Sequence, residues 1–377
     1  MSQSVFRILV TGSKGFIGRN LCVRLGEMQG FEIKRFDRGD DPARLQNLVA
    51  WADGVIHLAG ENRPIDEGAF EKVNVGLTNA LCDALQYEHK SSGRHVALIL
   101  ASSSQAENGT PYGRSKLAAE EAVCALAKRT GSPSIIFRLP GVFGKWCRPN
   151  YNSVVATFCH NIANTLPIQI DNAAVSIRLV YIDDVVNSLI EAIQTSTHGN
   201  RFAEVGPQYE ISLGELAEQL QAFERGRDRL RVERVGGGLT RALYATYLSY
   251  LPETRFAYDL LQHGDERGVF VEMLKTPDCG QFSFLTAPSG VTRGGHYHHT
   301  KSEKFLVVKG EALFRFRHLL DDKRVEIRTS GDTPKIVETI PGWSHDITNV
   351  GPGEMIVMLW ANEVFDSARP DTIASKV

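Results

Sequence analysis

No cysteine of this chain stands in a Cys-x-x-Cys pair: the six, at positions 22, 82, 124, 147, 159 and 279, are scattered over 377 residues. That pattern excludes a disulfide framework and a thiolate zinc site, and leaves reduced, mostly buried small hydrophobes. An excess of one charge is equally absent, with 42 Lys and Arg against 44 Asp and Glu. Nothing therefore points to a nucleic-acid partner. Long apolar runs are missing too. No stretch is apolar enough to span a bilayer, and Met1–Arg7 has no basic segment followed by an apolar run and cleavage site. No membrane partner is expected, and a cytoplasmic location is. Neither internal repeats nor a low-complexity tail occur. What remains is a 42% hydrophobic chain, ordinary for a soluble globular protein and long enough for two cores of about 100 to 200 residues each.

The two halves differ in texture. In the first, short β-branched runs (Val5–Thr11, Ile33–Asp37, Val55–Ala59, Val96–Ala101 and Ile135–Leu139) alternate with helical spacing over Asn74–Gln86 and Ser115–Lys128. Such alternation predicts a doubly wound parallel sheet of α/β type, with ligands at the carboxyl ends of the strands. Charged residues at Glu224–Arg234 and a Gly236-Gly237-Gly238 run lead into an amphipathic stretch, Leu239–Tyr258, that fits no strand. From Gly268 onward the pattern is Val269–Met273, Gln281–Leu285, Lys304–Lys309, Ala312–Phe316, Val325–Arg328, Lys335–Glu338 and Glu354–Trp360. Short strands at this spacing predict an all-β barrel or jelly roll. The expected division is a dinucleotide-binding domain over 1–245, a linker over 246–262 and a barrel domain over 263–377.

Gly12-x-x-Gly15-Phe16-Ile17-Gly18 follows the first predicted strand and opens the first predicted helix. Glycines there allow a tight turn and let a pyrophosphate approach the helix N-terminus. Asp37 closes the second strand at the distance suited to an adenosine ribose, and Arg35 and Arg38 flank it. An arginine beside that site accommodates a 2′-phosphate, which favours NADPH over NADH; the other reading is a solvated charge pair.

Tyr112 and Lys116 lie four residues apart, on one face of a helix beginning near Pro111. A free tyrosine, with a pKa of about 10, is a poor acid at neutral pH. A nearby lysine and a nicotinamide cation favour its ionised form, which makes Tyr112 the proton donor to a carbonyl being reduced. Ser104, or its neighbour Ser103, ends the fourth strand where a hydroxyl can bond the same carbonyl oxygen. After the fifth strand, Lys145, Trp146 and Arg148 suit a diphosphate and a uracil ring through charge and stacking. Arg178 is a second phosphate candidate.

Taken in order, the glycine turn, His57-Leu58-Ala59-Gly60, Asn74-Val75-Gly76, the serine run, Tyr112-x-x-x-Lys116 and Tyr181-Ile182-Asp183-Asp184 resemble the extended short-chain dehydrogenase/reductases, over roughly residues 5–240. The resemblance implies that Tyr112 is the catalytic acid and that Lys116 orients it and binds the nicotinamide ribose. It also implies that Leu58 and Ala59 line the cofactor of a Rossmann sheet and that sugar nucleotides are the substrates. Only seven residues separate Ser104 from Tyr112, fewer than in many nucleotide-sugar epimerases, which leaves the register of the serine open.

In the second half, Gly290-x5-His296-x-His298-x4-Glu303-x6-Gly310 and Gly342-x-x-His345-x3-Asn349 resemble the two cupin motifs. Alternate residues of a strand point the same way, so His296 and His298 are expected inside the barrel, with Glu303 and His345 arriving from neighbouring strands. Three imidazoles and a carboxylate suit a divalent metal, zinc first. His299 faces the other way. Asp265-Glu266-Arg267-Gly268, Gln281-Phe282-Ser283 and Val291-x-Arg293-Gly294-x-His296 also resemble the metal-free dTDP-4-keto-6-deoxyhexose 3,5-epimerases. In those cupins the histidine matching His296 is the base, so His296 is a candidate both for ligand and for catalysis.

The two halves together resemble fused reductase–epimerases of bacterial capsule and O-antigen synthesis. This implies a barrel that epimerises a UDP-2-acetamido-2,6-dideoxy-4-hexulose at carbon 3, and a reductase that reduces carbon 4 with NADPH. The product would be UDP-2-acetamido-2,6-dideoxy-L-talose, on the way to UDP-N-acetyl-L-fucosamine. The expected partner is a UDP-linked 4-keto-6-deoxy amino sugar, and a homodimer is expected because both resembled folds commonly dimerise. Two other readings stay open: a nucleotide-sugar 4-ketoreductase with a structural or dimerising barrel, and a redox or sugar-nucleotide sensor without catalysis. A sensor has no need of Tyr112 and Lys116.

Overall fold

The computed structural model describes residues 5–63, 66, 68, 70–195, 199–368 and 370–377; Met1–Ser4, read above for a leader, lie outside them. Among the described residues, no helix is long and apolar enough to cross a membrane. The chain divides into two compact units, Met1–Leu220 with Ala242–Leu251, and Gln221–Arg241 with Pro252–Val377.

In the first unit β1 (Phe6–Thr11), α1 (Phe16–Gly26), β2 (Phe31–Phe36), α2 (Arg44–Trp51), β3 (Gly54–His57), α3 (Leu77–Ser92), β4 (Ala97–Ser103), α4 (Pro111–Thr130) and β5 (Ser134–Leu139) alternate as expected. After β6 (Gly141–Phe143), α5 (Val154–Ala163), β7 (Ser176–Tyr181) and α6 (Ile182–Gln194), β8 (Asn200–Ala203) completes the main sheet. Its order is β2-β1-β3-β4-β5-β8, and every pairing is parallel. Strands covered on both faces need apolar residues throughout, and β3 and β4 are buried along their whole length. β2 is an edge strand, buried within its span only at Phe36. Leu9, Val55, Leu98 and Ile136 of the sheet pack with Leu81, Leu85, Val123 and Leu126 of α3 and α4. A small second sheet joins β6, β7 and β9 (Gln208–Ser212), and α7 (Leu213–Asp228) follows.

The segment expected as a linker, 246–262, begins inside α8 (Gly238–Leu248). Thr246 and Tyr247 are fully buried, so the amphipathic face seen in the sequence is a packing face.

The second unit is all β apart from the end of α7, the start of α8 and one short turn of helix. Its strands are β10 (Gln262–Asp265), β11 (Gly268–Lys275), β12 (Gln281–Ala287), β13 (Thr292–Tyr297), β14 (Glu303–Lys309), β15 (Glu311–His318), β16 (Arg324–Ser330), β17 (Ile336–Glu338), β18 (Trp343–Asn349), β19 (Met355–Ala361) and β20 (Ile373–Ala374). They form two antiparallel sheets, β10-β11-β12-β19-β14-β17 and β16-β15-β18-β13-β20. Period-two burial along β12, β15 and β19 turns one face inward, where Phe305, Phe314, Phe316, Ile347, Val357 and Leu359 make the core. A doubly wound parallel sheet followed by an all-β cupin-type barrel is thus the fold. β13 and β18, expected as strands from their histidine motifs and not from apolar alternation, have histidines, glycines and hydroxyls where apolar residues would mark a strand.

Candidate active site

Close approach explains the glycines after β1. A Cβ on Gly12, whose φ is +71°, would stand 2.6 Å from the backbone nitrogen of Ala59, and one on Gly18 would stand 2.3 Å from the carbonyl oxygen of Gly12. Neither position has room for a side chain. Gly15 begins α1 with no side-chain cap and no acid in the first turn, so the opening N–H groups suit an anion. This cradle fits a dinucleotide pyrophosphate.

The structure turns Asp37 toward that cradle. Its carboxylate accepts from Ser13 Oγ at 2.6 Å and from the Lys14 backbone N–H at 3.0 Å, bracing the turn. Arg38 pairs with Glu61 at 2.5 Å, with its own side chain 80% exposed. Leu58 and Ala59 are held by Thr11, whose carbonyl and hydroxyl accept from their N–H groups at 3.1 and 3.3 Å. Below them His57 sits between Thr11 and Thr78 hydroxyls at 2.6 and 2.9 Å. Burial, then the Lys116 charge, push its pKa down to about 3, so it is a neutral part of the frame.

α4 starts sharply, with Pro111 at its first position and the Thr110 hydroxyl accepting from Gly113 N–H at 3.1 Å. That start puts Tyr112 in the first turn and Lys116 one turn on. Ser103, buried at the end of β4, is the hydroxyl that acts on the Tyr112 phenol, whereas Ser104 is exposed. Lys116 Nζ donates to the Ala101 carbonyl at 2.7 Å, which uses one of its three N–H groups. Burial raises the phenol pKa and the Ser103 hydroxyl opposes it. Tyr112 is therefore neutral and protonated, which is the state a proton donor needs.

Burial draws the Lys116 pKa down to about 8, and Glu120, one further turn along, pulls the other way. Glu120 is itself buried, bonded to Ser102 Oγ at 2.5 Å and to Arg138 Nη2 at 2.7 Å. Asn74 lies in a π-helical turn, Phe70–Gly76, and donates at 2.9 Å both to Ser115 Oγ and to the Glu61 carbonyl. Such turns are frequent at functional sites.

Beyond β6, Lys145 pairs with Asp183 at 2.5 Å and lies 5.5 Å from the Trp146 ring centroid. Arg148 lies 5.2 Å from that of Tyr151, and the Tyr151 hydroxyl donates to Glu61 at 2.7 Å. Glu61 thus ties this loop to the end of β3. Trp146 and Arg148 are exposed. Arg178, exposed on β7 across from Glu210, takes no part in these contacts.

In the second unit, His296, His298, Glu303 and His345 each offer a ligand atom, all within 4.8 Å of one another. His298 follows the end of β13, and His299 beside it is exposed. A bulge between Gly294 and His296, with positive φ at Gly294 and Gly295, turns the His296 ring toward His345, 4.6 Å away between centroids. His298 Nε2 lies 3.2 Å from Glu303 Oε2, and Lys301 Nζ lies 2.9 Å from Oε1.

Burial opposes the charge on Glu303, yet the rings of His298 and His345 and the Lys301 ammonium prevail, holding its carboxyl far below the usual range. His296 is pushed down to about 4, by burial first and the other two rings next. His345 has both ring nitrogens buried without a hydrogen-bond partner, and its Nε2 is 3.6 Å from Glu303 Oε2. Orphaned buried nitrogens at the focus of three imidazoles and a carboxylate fit a divalent metal. Of the four, only His296 keeps partial access to solvent.

Residues 8–206, over half the chain, match the NAD dependent epimerase/dehydratase family. The chain belongs to this family. Residues 263–373 match the Polysaccharide biosynthesis C-terminal domain. Over 98% of its length the chain is 55% identical to the UDP-2-acetamido-2,6-beta-L-arabino-hexul-4-ose reductase of Pseudomonas aeruginosa strain PA103, covering 99% of that protein. The solved structure of the capsular polysaccharide assembling protein CapF of Staphylococcus aureus matches with a TM-score of 0.89 and 38% identity, over 99% of this chain and 100% of that one. The UDP-glucuronic acid 4-epimerase of Bacillus cereus, in complex with NAD, shares the fold of the first unit. Its TM-score is 0.55 and its identity 18%, over 65% of this chain and 96% of that one.

Membership of the NAD dependent epimerase/dehydratase family makes a nicotinamide dinucleotide the cofactor class of the first unit. Ser13, Glu61, Glu120 and Lys301 were missed by the sequence reading, since none stands in a motif of its own. Glu120 alone left a signal: it continues the helical face of Tyr112 and Lys116 by one more turn.

Proposed function

We propose that the chain is a bifunctional nucleotide-sugar enzyme. Its barrel epimerises a UDP-2-acetamido-2,6-dideoxy-4-hexulose at carbon 3, and its Rossmann unit reduces carbon 4 with NADPH to UDP-2-acetamido-2,6-dideoxy-L-talose. The reductase reading is carried by Tyr112, kept neutral by burial and acted on by Ser103 at the end of β4, in a unit that also builds a pyrophosphate cradle. The end-to-end likeness to a reductase of an L-arabino-hexul-4-ose supports it. A talose product requires the second activity, because arabino and lyxo ketones differ at carbon 3 and only the lyxo form reduces to talose.

When bound, NADPH supplies the hydride. Ser103 and Tyr112 hold the carbonyl oxygen, and Tyr112 Oη gives it a proton. Lys116 positions the nicotinamide ribose, and the glycine turn, Leu58 and Ala59 carry the rest of the cofactor, with Arg38 at a 2′-phosphate. Lys145, Trp146 and Arg148 hold the UDP group. In the barrel, His296, His298, Glu303 and His345 hold the metal, zinc by donor type. When bound, the metal polarises the ketone and so acidifies carbon 3. The partial exposure of His296 favours a second reading, in which three ligands suffice and His296 takes the carbon 3 proton.

Lys116 is neutralised at lower pH than an ordinary lysine, so kcat/KM for NADPH is expected to fall as pH rises past about 8. Glu120→Gln, which removes the charge that raises this pKa, moves the limb to lower pH. A profile flat to pH 10 sinks the role given to the ammonium.

The deciding experiment supplies the L-arabino 4-keto sugar nucleotide in heavy water, without and then with NADPH. Deuterium uptake at carbon 3 is expected without cofactor, and NADPH oxidation once it is added. Absent uptake overturns the epimerase and leaves a reductase with a structural barrel; absent oxidation overturns the reductase.

A further inference from the structure

We infer that the segment Asp371–Lys376 belongs to the histidine–carboxylate centre: it fixes His298 with its proton on Nδ1 and holds the loop between His298 and Glu303, so that metal affinity depends on it. The inference rests on the metal reading above. His298 Nδ1 is hydrogen-bonded to the backbone carbonyl of Asp371. A carbonyl oxygen only accepts, so Nδ1 carries the proton and Nε2 is left as the nitrogen that faces Glu303 Oε2 at 3.2 Å. A lone pair opposite a carboxylate is an arrangement that a cation between them stabilises.

The Asp371 carboxylate accepts from three successive backbone N–H groups, those of His299 at 2.9 Å, Thr300 at 2.7 Å and Lys301 at 2.8 Å. All three belong to the turn joining His298 to Glu303. The same segment grips the strands of the other two histidines. Ile373 and Ala374 pair with Tyr297 and His296, and Ser375 N–H donates to the Gly295 carbonyl at 2.9 Å. Ser344, next to His345, donates through Oγ to the Ser375 carbonyl at 2.6 Å. Arg317 holds Ser375 Oγ and the Lys376 carbonyl, each at 2.9 Å. The backbone around all three histidines, and the turn leading to Glu303, therefore have partners in this one short segment. Partners of this kind orient metal-binding histidines and typically change affinity by about 10- to 100-fold.

The test uses the full chain and zinc alone, titrated in competition with a chelator of known affinity. Asp371→Ala, and a chain ended at Pro370, are expected to bind zinc about 10- to 100-fold more weakly, with NADPH binding unchanged. Equal zinc affinity in all three proteins overturns the inference and leaves the metal reading standing; no zinc binding by the unaltered chain overturns both. A variant barrel that fails to fold is met by a measurement on unaltered protein. With ¹⁵N-labelled histidine, long-range ¹H–¹⁵N spectra should show His298 protonated on Nδ1, and protonation on Nε2 alone overturns the inference.

Discussion

Phenylalanine in place of Tyr112 is expected to slow reduction of the 4-keto sugar nucleotide by roughly 10²- to 10⁴-fold, the usual worth of a positioned proton donor. The substitution removes one hydroxyl and keeps the ring, which lies 5.9 Å from Phe70 between centroids. Packing and the helix start at Thr110 are untouched, so thermal stability and NADPH affinity should stay close to those of the unaltered protein. What is lost is the phenolic proton, which burial keeps in place, and the interaction with Ser103. Stopped-flow absorbance of NADPH reads the result. A variant that reduces substrate at the original rate would remove Tyr112 from the chemistry. Deuterium uptake at carbon 3 should survive, because the barrel centre uses none of these residues.

The largest effect in the second unit is expected from His296→Ala, with deuterium uptake falling by about 10²-fold or more whether the residue serves as ligand or as base. Metal content separates the two roles. As one of four ligands, His296 takes much of the zinc affinity with it; as a base it leaves His298, Glu303 and His345 still holding the ion. Reduction of a ketone already inverted at carbon 3 should proceed normally in either case. Unchanged uptake would move the proton transfer elsewhere, and Lys301, 2.9 Å from Glu303, would be the next residue to replace.

Much of this could be read from the chain because it depends on short spacings. Three glycines three residues apart, a tyrosine and a lysine one helical turn apart, and two histidines flanking one residue announce their chemistry locally. Residues whose role depends on a distant partner gave no such sign. Ser103 and Ser104 are equivalent as letters; the turn of β4 buries one beside Tyr112 and exposes the other. Asp37 gave no sign that the loop brings Ser13 and Lys14 onto it. Nor did Lys116 announce that its ammonium would also bond the Ala101 carbonyl near the end of the neighbouring strand.

The amino-acid order alone determined that a parallel α/β unit precedes a β unit, and which side chains could do chemistry, since hydrophobic period and motif spacing act within a few residues. Tertiary structure alone decided the extent and pairing of β13 and β18, because strands that line a polar site do not show an apolar alternation and are held by their neighbours. It also decided how Asp371, 73 positions from His298, comes to lie against the histidine centre. Backbone pairing across the barrel, a contact between segments far apart in the chain, makes that neighbourhood.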